Sequence, residues 1–230
     1  MHNIGFEEGN TRAVLVSLVT EGQEAADTSL CELESLLETA GGTAVARVTQ
    51  NMDRPSPKTY IGSGKAKEIA EFVSASGDID LVVFDNELSP SQLNNLEEII
   101  GVRVIDRTML ILDIFALHAV TGEGKLQVEI ACLKYTAPRL TGKGKELSRL
   151  GGGIGTRGPG ESKLESDRRH LKRRIASLEA ELEEMERTRL TKRAARDKKP
   201  IKSAAIVGYT NSGKSTLLNY LTDAGILAEN

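Results

Sequence analysis

Eight consecutive residues carry the plainest chemistry in this sequence. Gly208-Tyr209-Thr210-Asn211-Ser212-Gly213-Lys214-Ser215 fits the pattern G-x-x-x-x-G-K-[ST]. It stands between a short apolar run, Ser203–Val207, expected to be a strand, and Thr216–Leu221, expected to be helical. Strand, glycine loop and helix in that order are what a phosphate-binding loop requires. Gly208 and Gly213 let the backbone wrap a phosphate without Cβ clashes. Exposed N–H groups and the helix N-terminus attract the anion. Lys214 reaches toward the β- and γ-phosphates, and the Ser215 hydroxyl is a ligand for Mg²⁺. The competing reading is an ordinary glycine turn before a helix. Such a loop does not by itself choose between GTP and ATP. Choosing and hydrolysing require a second metal carboxylate, a water-positioning element and base-reading residues. These would follow the loop, and only Thr216–Asn230 does. The expectation is a fragment with little or no hydrolytic activity of its own.

A second chemistry is written in charge. The formal net charge of −3 hides a strong asymmetry. Residues 1–100 hold 17 acidic and 6 basic side chains, a net of −11, whereas residues 142–175 hold 10 basic and 4 acidic, a net of +6. The basic segment begins with a glycine-rich loop, Thr141–Gly160, containing Lys143, Lys145, Arg149 and Arg157. It continues through Lys163, Arg168, Arg169, Lys172, Arg173 and Arg174. Glycines let a backbone approach phosphates closely, so the segment reads as an RNA contact, with a merely solvated helix face as the alternative. Aromatic residues are 3% of the chain and Trp is absent, so base stacking has little material and the contact should be phosphate-directed and salt-sensitive.

Other candidates are weaker. Gly62-Ser63-Gly64-Lys65 resembles a phosphate nest, but a glycine turn before a helix is more often only a cap. His2, His118 and His170 have no metal-ligand spacing. Asp80, Asp85 and Glu87 lie at strand ends, where acids usually cap or solvate, and are given no role. Cys132 falls on a helical pattern and reads as core filler.

The elements that must position these residues follow from periodicity. Ala13–Val19, Ala44–Thr49, Asp80–Phe84 and Val102–Ile105 read as strands, separated by helical patterns over Ser29–Ala40, Lys65–Ala75 and the stretch between Ser89 and Gly101. Ser89-Pro90-Ser91-Gln92 has the signature of a capping box with Pro at the first helical position. Apolar strands alternating with helices give a parallel sheet covered by helices, an α/β fold. From Arg107 to Ala137 apolar residues recur at three- and four-residue steps, which predicts one long helix, with Gly122 and Gly124 as the place for any kink. A second long helix is expected from Glu161 to about Arg196, with a coiled-coil-like seam through Leu171, Ile175, Leu178, Leu182 and Met185. Two long helices and one loop suggest an antiparallel hairpin. The chain then divides into an α/β subdomain (1–106), a helical hairpin (107–198) and the start of a P-loop domain (199–230). A monomer is expected, with a dimer through the seam as the alternative.

Composition closes off other classes. Of 230 residues, 39% are apolar and 27% charged, which is a globular balance. No apolar run approaches the roughly 18–20 residues of a spanning helix. The N-terminus MHNIGFEEGNTR lacks the pattern of a signal peptide. Two distant cysteines, Cys31 and Cys132, make no disulfide framework, so a reducing cytoplasm is the natural setting.

These residues resemble those of the HflX-type GTPases over nearly the whole chain. The matching blocks are YIGSGK (60–65), FDNELSPSQLNNL (84–96), VIDRTMLILDIF (104–115), EGKLQVEIACLKYTAPRL (123–140), GGGIGTRGPGESKLESDRR (151–169) and GYTNSGKSTLLN (208–219), in the family's order. Departures are mild: Ser162 and Ser166 stand where Thr is expected, and Thr136-Ala137 where larger apolar residues are. The later GTPase motifs are missing from this chain. The resemblance implies a GTP- and Mg²⁺-binding protein of the translation-factor class that engages the large ribosomal subunit and its RNA and separates stalled ribosomes or acts in their biogenesis. Two rival readings stay open: an RNA-binding module without a working nucleotide site, and an ATP-dependent P-loop enzyme.

Overall fold

A computed structural model describes residues 11–20, 22–139, 159–197, 204–208 and 213–222, with side chains of the long helix described over 168–194. The chain divides into two units, 1–184 and 185–230.

In the first unit, four parallel strands form one sheet. They are β1 (Thr11–Val19), β2 (Gly42–Asn51), β3 (Leu81–Phe84) and β4 (Arg103–Asp106), in the order β2-β1-β3-β4. The helices between them are α1 (Gln23–Thr39), α2 (Ser63–Ser76) and α3 (Pro90–Ile100). Side chains alternate across a strand, and the two cores follow that alternation. Val14 and Val16 of β1 join Val82, Phe84 and Val104 beneath Ile69, Val73, Leu96 and Ile100 of α2 and α3. Ala13 and Leu15 face the other way, with Leu81, Val83 and Ile105, against Leu30, Leu33 and Leu37 of α1. Both faces of the sheet are covered, which is why its strands read as unbroken apolar runs.

The helix ends obey local chemistry. Ser89 and Gln92 form the expected capping box, with Pro90 opening α3. Gly77 and Gly101 end α2 and α3 in the left-handed region, at φ of 69° and 83°. α1 starts six residues before the expected Ser29, because Ala26 is buried along with Leu30, Leu33 and Leu37.

The stretch read as one long helix is two. α4 (Arg107–His118) and α5 (Gly122–Thr136) are separated at residues 119–121. Thr121 adopts extended backbone and its hydroxyl accepts from the Gly124 amide, so it caps a new helix rather than continuing the old one. The chain reverses there: Tyr135, near the end of α5, returns to Asp106 at the start of α4. An antiparallel helix pair is therefore present, one helix earlier than expected. The second long helix is α6 (Pro159–Asp197), close to its expected span. Two ion pairs, Glu129–Arg174 and Lys134–Glu179, bridge α5 to α6 and advance five residues along both helices. Of the seam residues, Leu178 is buried, and Leu171, Ile175 and Leu182 are half-buried.

In the second unit, residues 204–208 have no regular structure, and α7 (Lys214–Leu221) follows Gly213. Residues 204–207 of the expected strand pair with no strand among the described residues, and residue 203 lies outside them. A strand exists only through ladder hydrogen bonds to a neighbour, and the described sheet contains β1 to β4 alone.

Candidate functional site

The phosphate-loop residues are described at both ends of the motif. Gly213 takes φ 77°, a left-handed conformation open to glycine and unfavourable for a residue with a Cβ. It is the N-cap of α7, its carbonyl accepting from the Leu217 amide at 2.8 Å. No side chain caps this helix, so its first-turn amides are not spent on one. Lys214 and Ser215 sit on that first turn, both half-buried, while Gly208 is exposed. Tyr209, Thr210, Asn211 and Ser212 lie outside the described residues. The Ser215 hydroxyl is a hard oxygen donor of the kind Mg²⁺ takes when phosphate oxygens complete its shell. Among the described residues no group of three or more His, Cys, Asp or Glu could hold a metal.

The RNA candidates divide similarly. Lys143, Lys145, Arg149 and Arg157 lie outside the described residues, as does the side chain of Lys163. Arg168 and Arg169 are exposed on α6, as are Lys172 and Arg173. Arg174 is not free: its guanidinium donates to Glu129 of α5 at 2.7 Å and 3.2 Å. This cation of the basic run thus serves packing.

The Gly62–Lys65 turn is occupied by the protein itself. The Gly62 amide donates to the Gln50 side chain at 2.8 Å, and Lys65 pairs with Glu68. A Cβ at position 62 would fall 2.8 Å from Gln50 Nε2, so a larger residue there would make the Gln50 side chain move. The strand-end acids also have structural partners. Asp80 accepts from the Arg12 amide, and Asp85 accepts from Ser17 and pairs with Arg107 at 3.0 Å.

The most connected polar residue was not singled out by sequence reasoning. Asp106 is fully buried at the carboxyl end of β4. Its Oδ1 accepts from the Met109 amide at 3.0 Å, capping α4. Its Oδ2 accepts from the Leu88 amide (3.1 Å), the Tyr135 hydroxyl (2.6 Å) and the Arg139 guanidinium (2.9 Å). Arg139 also donates to the carbonyls of Tyr135 and Leu88, and lies 3.5 Å over the Tyr135 ring. Burial and the Asp106 carboxylate push the Tyr135 hydroxyl well above the usual tyrosine range. One carboxylate thereby ties the β3–α3 loop, the start of α4 and the end of α5, immediately before the basic loop leaves α5. The N-cap role was readable from Asp106-Arg107-Thr108-Met109; the contacts from residues 88, 135 and 139 were not.

Asp113, also buried, has the opposite environment. Its Oδ2 has no hydrogen-bond partner among the described residues. Burial pushes its pKa up to about 7, against the opposing pull of Arg103. Burial also raises the Cys132 thiol, with Asp113 adding to the effect, so Cys132 is no activated nucleophile.

Comparison with known proteins finds three family matches in succession along the chain. Residues 27–116 match the family described as "GTP-binding GTPase N-terminal", residues 118–196 "GTP-binding GTPase Middle Region", and residues 203–230 "50S ribosome-binding GTPase". Among solved structures, a GTP-binding protein from the archaeon Sulfolobus solfataricus in complex with GDP is similar at 30% identity and a TM-score of 0.53 over 93% of this chain and 53% of that one. With a glycine-started helix carrying Lys214 and Ser215, these likenesses define the class: the P-loop GTPases. A GTPase HflX from Lacrimispora saccharolytica is 56% identical over 229 residues, covering 98% of this chain and 53% of that protein. The Escherichia coli K12 GTPase HflX is 48% identical over 96% of this chain and 51% of its own length. The chain belongs to the HflX family of GTPases and spans about half the length of the curated relatives it matches.

Proposed function

We propose that this chain supplies the ribosome-facing part and the first nucleotide motif of an HflX-type GTPase acting in the cytosol. In this reading residues 1–106 are an α/β subdomain, 107–198 a helical arm with the basic loop, and 199 onward the start of the GTP-binding domain. Gly208 to Ser215 grip the phosphates of GTP: the loop and α7 amides bind oxygens, and Lys214 neutralises the β- and γ-phosphates. Ser215 holds Mg²⁺, which supplies charge neutralisation when bound. Lys143, Lys145, Arg149, Arg157, Lys163, Arg168 and Arg169 meet ribosomal RNA phosphates on the large subunit.

The observation that carries the reading is the coincidence of two independent signals. Family likeness covers the chain in three consecutive blocks, and the chain's strongest positive charge falls in one of them, at 142–175. The GDP-bound archaeal relative favours a guanine over an adenine nucleotide.

Binding of a fluorescent non-hydrolysable GTP analogue, with and without Lys214→Ala, tests the nucleotide half. Lys214→Ala should weaken binding by at least tenfold, and excess ATP should compete poorly. Equal affinity in both proteins, or no affinity in either, would remove the nucleotide assignment and leave an RNA-binding module.

A further inference from the structure

A cavity of about 560 Å³ opens where the β2–α2 loop, the β3–α3 loop and the end of α5 meet, at the carboxyl ends of the strands. That is where open α/β sheets bind ligands, and the volume is in the range of a small-molecule site. Its lining includes Tyr60, Glu87, Tyr135 and Arg139. The chain has four tyrosines in all, so half of them line this one cavity.

Three features say what would bind. First, Tyr60 is the only non-glycine residue with positive φ among the described residues, at 63°. That strained conformation holds its buried ring against Phe84, edge to face, and strain of this kind gathers at ligand clamps. Burial, helped by Asp85, pushes its hydroxyl up to about 12, so the ring stays neutral. Second, the cations in the lining are already paired, Arg139 with Asp106 and Lys134 with Glu179. Ser89 and Gln92 are consumed by their capping box. The lining therefore suits an uncharged ring better than a phosphate. Third, Glu87 is exposed, lines the cavity, and has no hydrogen-bond or ion-pair partner among the described residues. A carboxylate accepts two adjacent donors at once. Of the four RNA bases, guanine offers adjacent N–H groups at N1 and N2 on its pairing edge.

We infer that this cavity is a pocket for one unpaired guanine of the RNA that the basic segment engages, stacked against the tyrosine and arginine planes and read by Glu87. The inference rests on the RNA-binding reading above. RNA is the source favoured because Arg139, in the lining, stands two residues before the loop that carries Lys143, Lys145, Arg149 and Arg157. Splayed-out bases on aromatic and guanidinium planes are how proteins read RNA sequence.

The test is fluorescence anisotropy of the full chain with three short RNA hairpins identical except for a bulged guanine, a bulged adenine or no bulge. The guanine bulge should bind about tenfold tighter than the unbulged hairpin, the scale of one stacked base. Glu87→Gln should collapse the guanine-over-adenine ratio toward one, and Tyr135→Leu should reduce the advantage of any bulge. Because Tyr135 also donates to Asp106, the exposed Glu87 variant carries the decision if Tyr135→Leu fails to fold. Equal affinity for all three hairpins, with binding still lost on charge reversal at Lys143, Lys145 and Arg149, would overturn the pocket and keep the RNA reading. No binding to any hairpin would overturn both. Displacement of the bulge advantage by free GMP at lower concentration than by the hairpin would reassign the pocket to a free nucleotide.

Discussion

The two units of this chain bury their apolar residues to very different degrees. In the first, Phe84, Leu15, Leu33 and Leu37 are fully enclosed between sheet and helices. In the second, Val207 is 90% exposed and Tyr220 88%, and Leu217 and Leu221 are also exposed. Yet the second unit carries the more recognisable motif. A phosphate loop is specified by short-range backbone needs, above all glycine where φ is positive, so it is legible without neighbours. A core is specified by long-range complementarity and is stable only when its partners are present. Motif and stability are separate properties, and here they lie in separate places.

The largest expected effect breaks that contrast most directly. Phe84→Ala should cost about 3–5 kcal/mol in urea unfolding, because it opens a cavity in a closed core. Tyr220→Ala should change the same midpoint by less than about 0.5 kcal/mol, as surface substitutions do. Similar costs at the two sites would show that α7 is packed as firmly as the sheet.

A second comparison sharpens the first within one unit. Asp106→Ala should cost about 3–5 kcal/mol, since it strands the Arg139 cation and three other donors in a buried place. Asp113→Asn should act oppositely and more weakly. The folded-state pKa of Asp113 is raised to about 7 from 3.8, so the folded protein holds its proton more tightly than the unfolded chain. That contribution is complete below pH 3.8 and is lost as pH rises through 7. Asp113→Asn should therefore flatten the fall in stability between about pH 4 and 7 and raise stability at pH 8 by roughly 1–2 kcal/mol. Chemical denaturation of both proteins across that range checks it; identical pH profiles would mean that Asp113 is ionised at little cost.

Much of this was readable beforehand, and the misses share a cause. Four apolar runs and the Ser89 capping box are local signals, and both kinds are realised. The break between α4 and α5 was hidden because apolar spacing continued on both sides of it. Its marker, Thr121 before Gly122-Glu123-Gly124, is a cap that needed to outweigh periodicity. The strand expected at 203–207 is the converse case: its apolar pattern is local, but a strand requires a partner, and residues 204–207 have none among the described strands. Asp106 and the tyrosine-lined cavity were out of reach because the Asp106 side chain gathers partners 18 to 33 positions away and the cavity joins Tyr60 to Tyr135, and no spacing rule reports such meetings.

The central claim is that residues 142–175 meet ribosomal phosphates. Co-sedimentation with purified large ribosomal subunits over a series of salt concentrations tests it, using the unaltered chain and a variant with Lys143, Lys145 and Arg149 reversed to Glu. The account predicts binding that weakens steeply with salt, and a variant that binds less and depends less on salt. Unchanged binding by the variant, at every salt concentration, would contradict it.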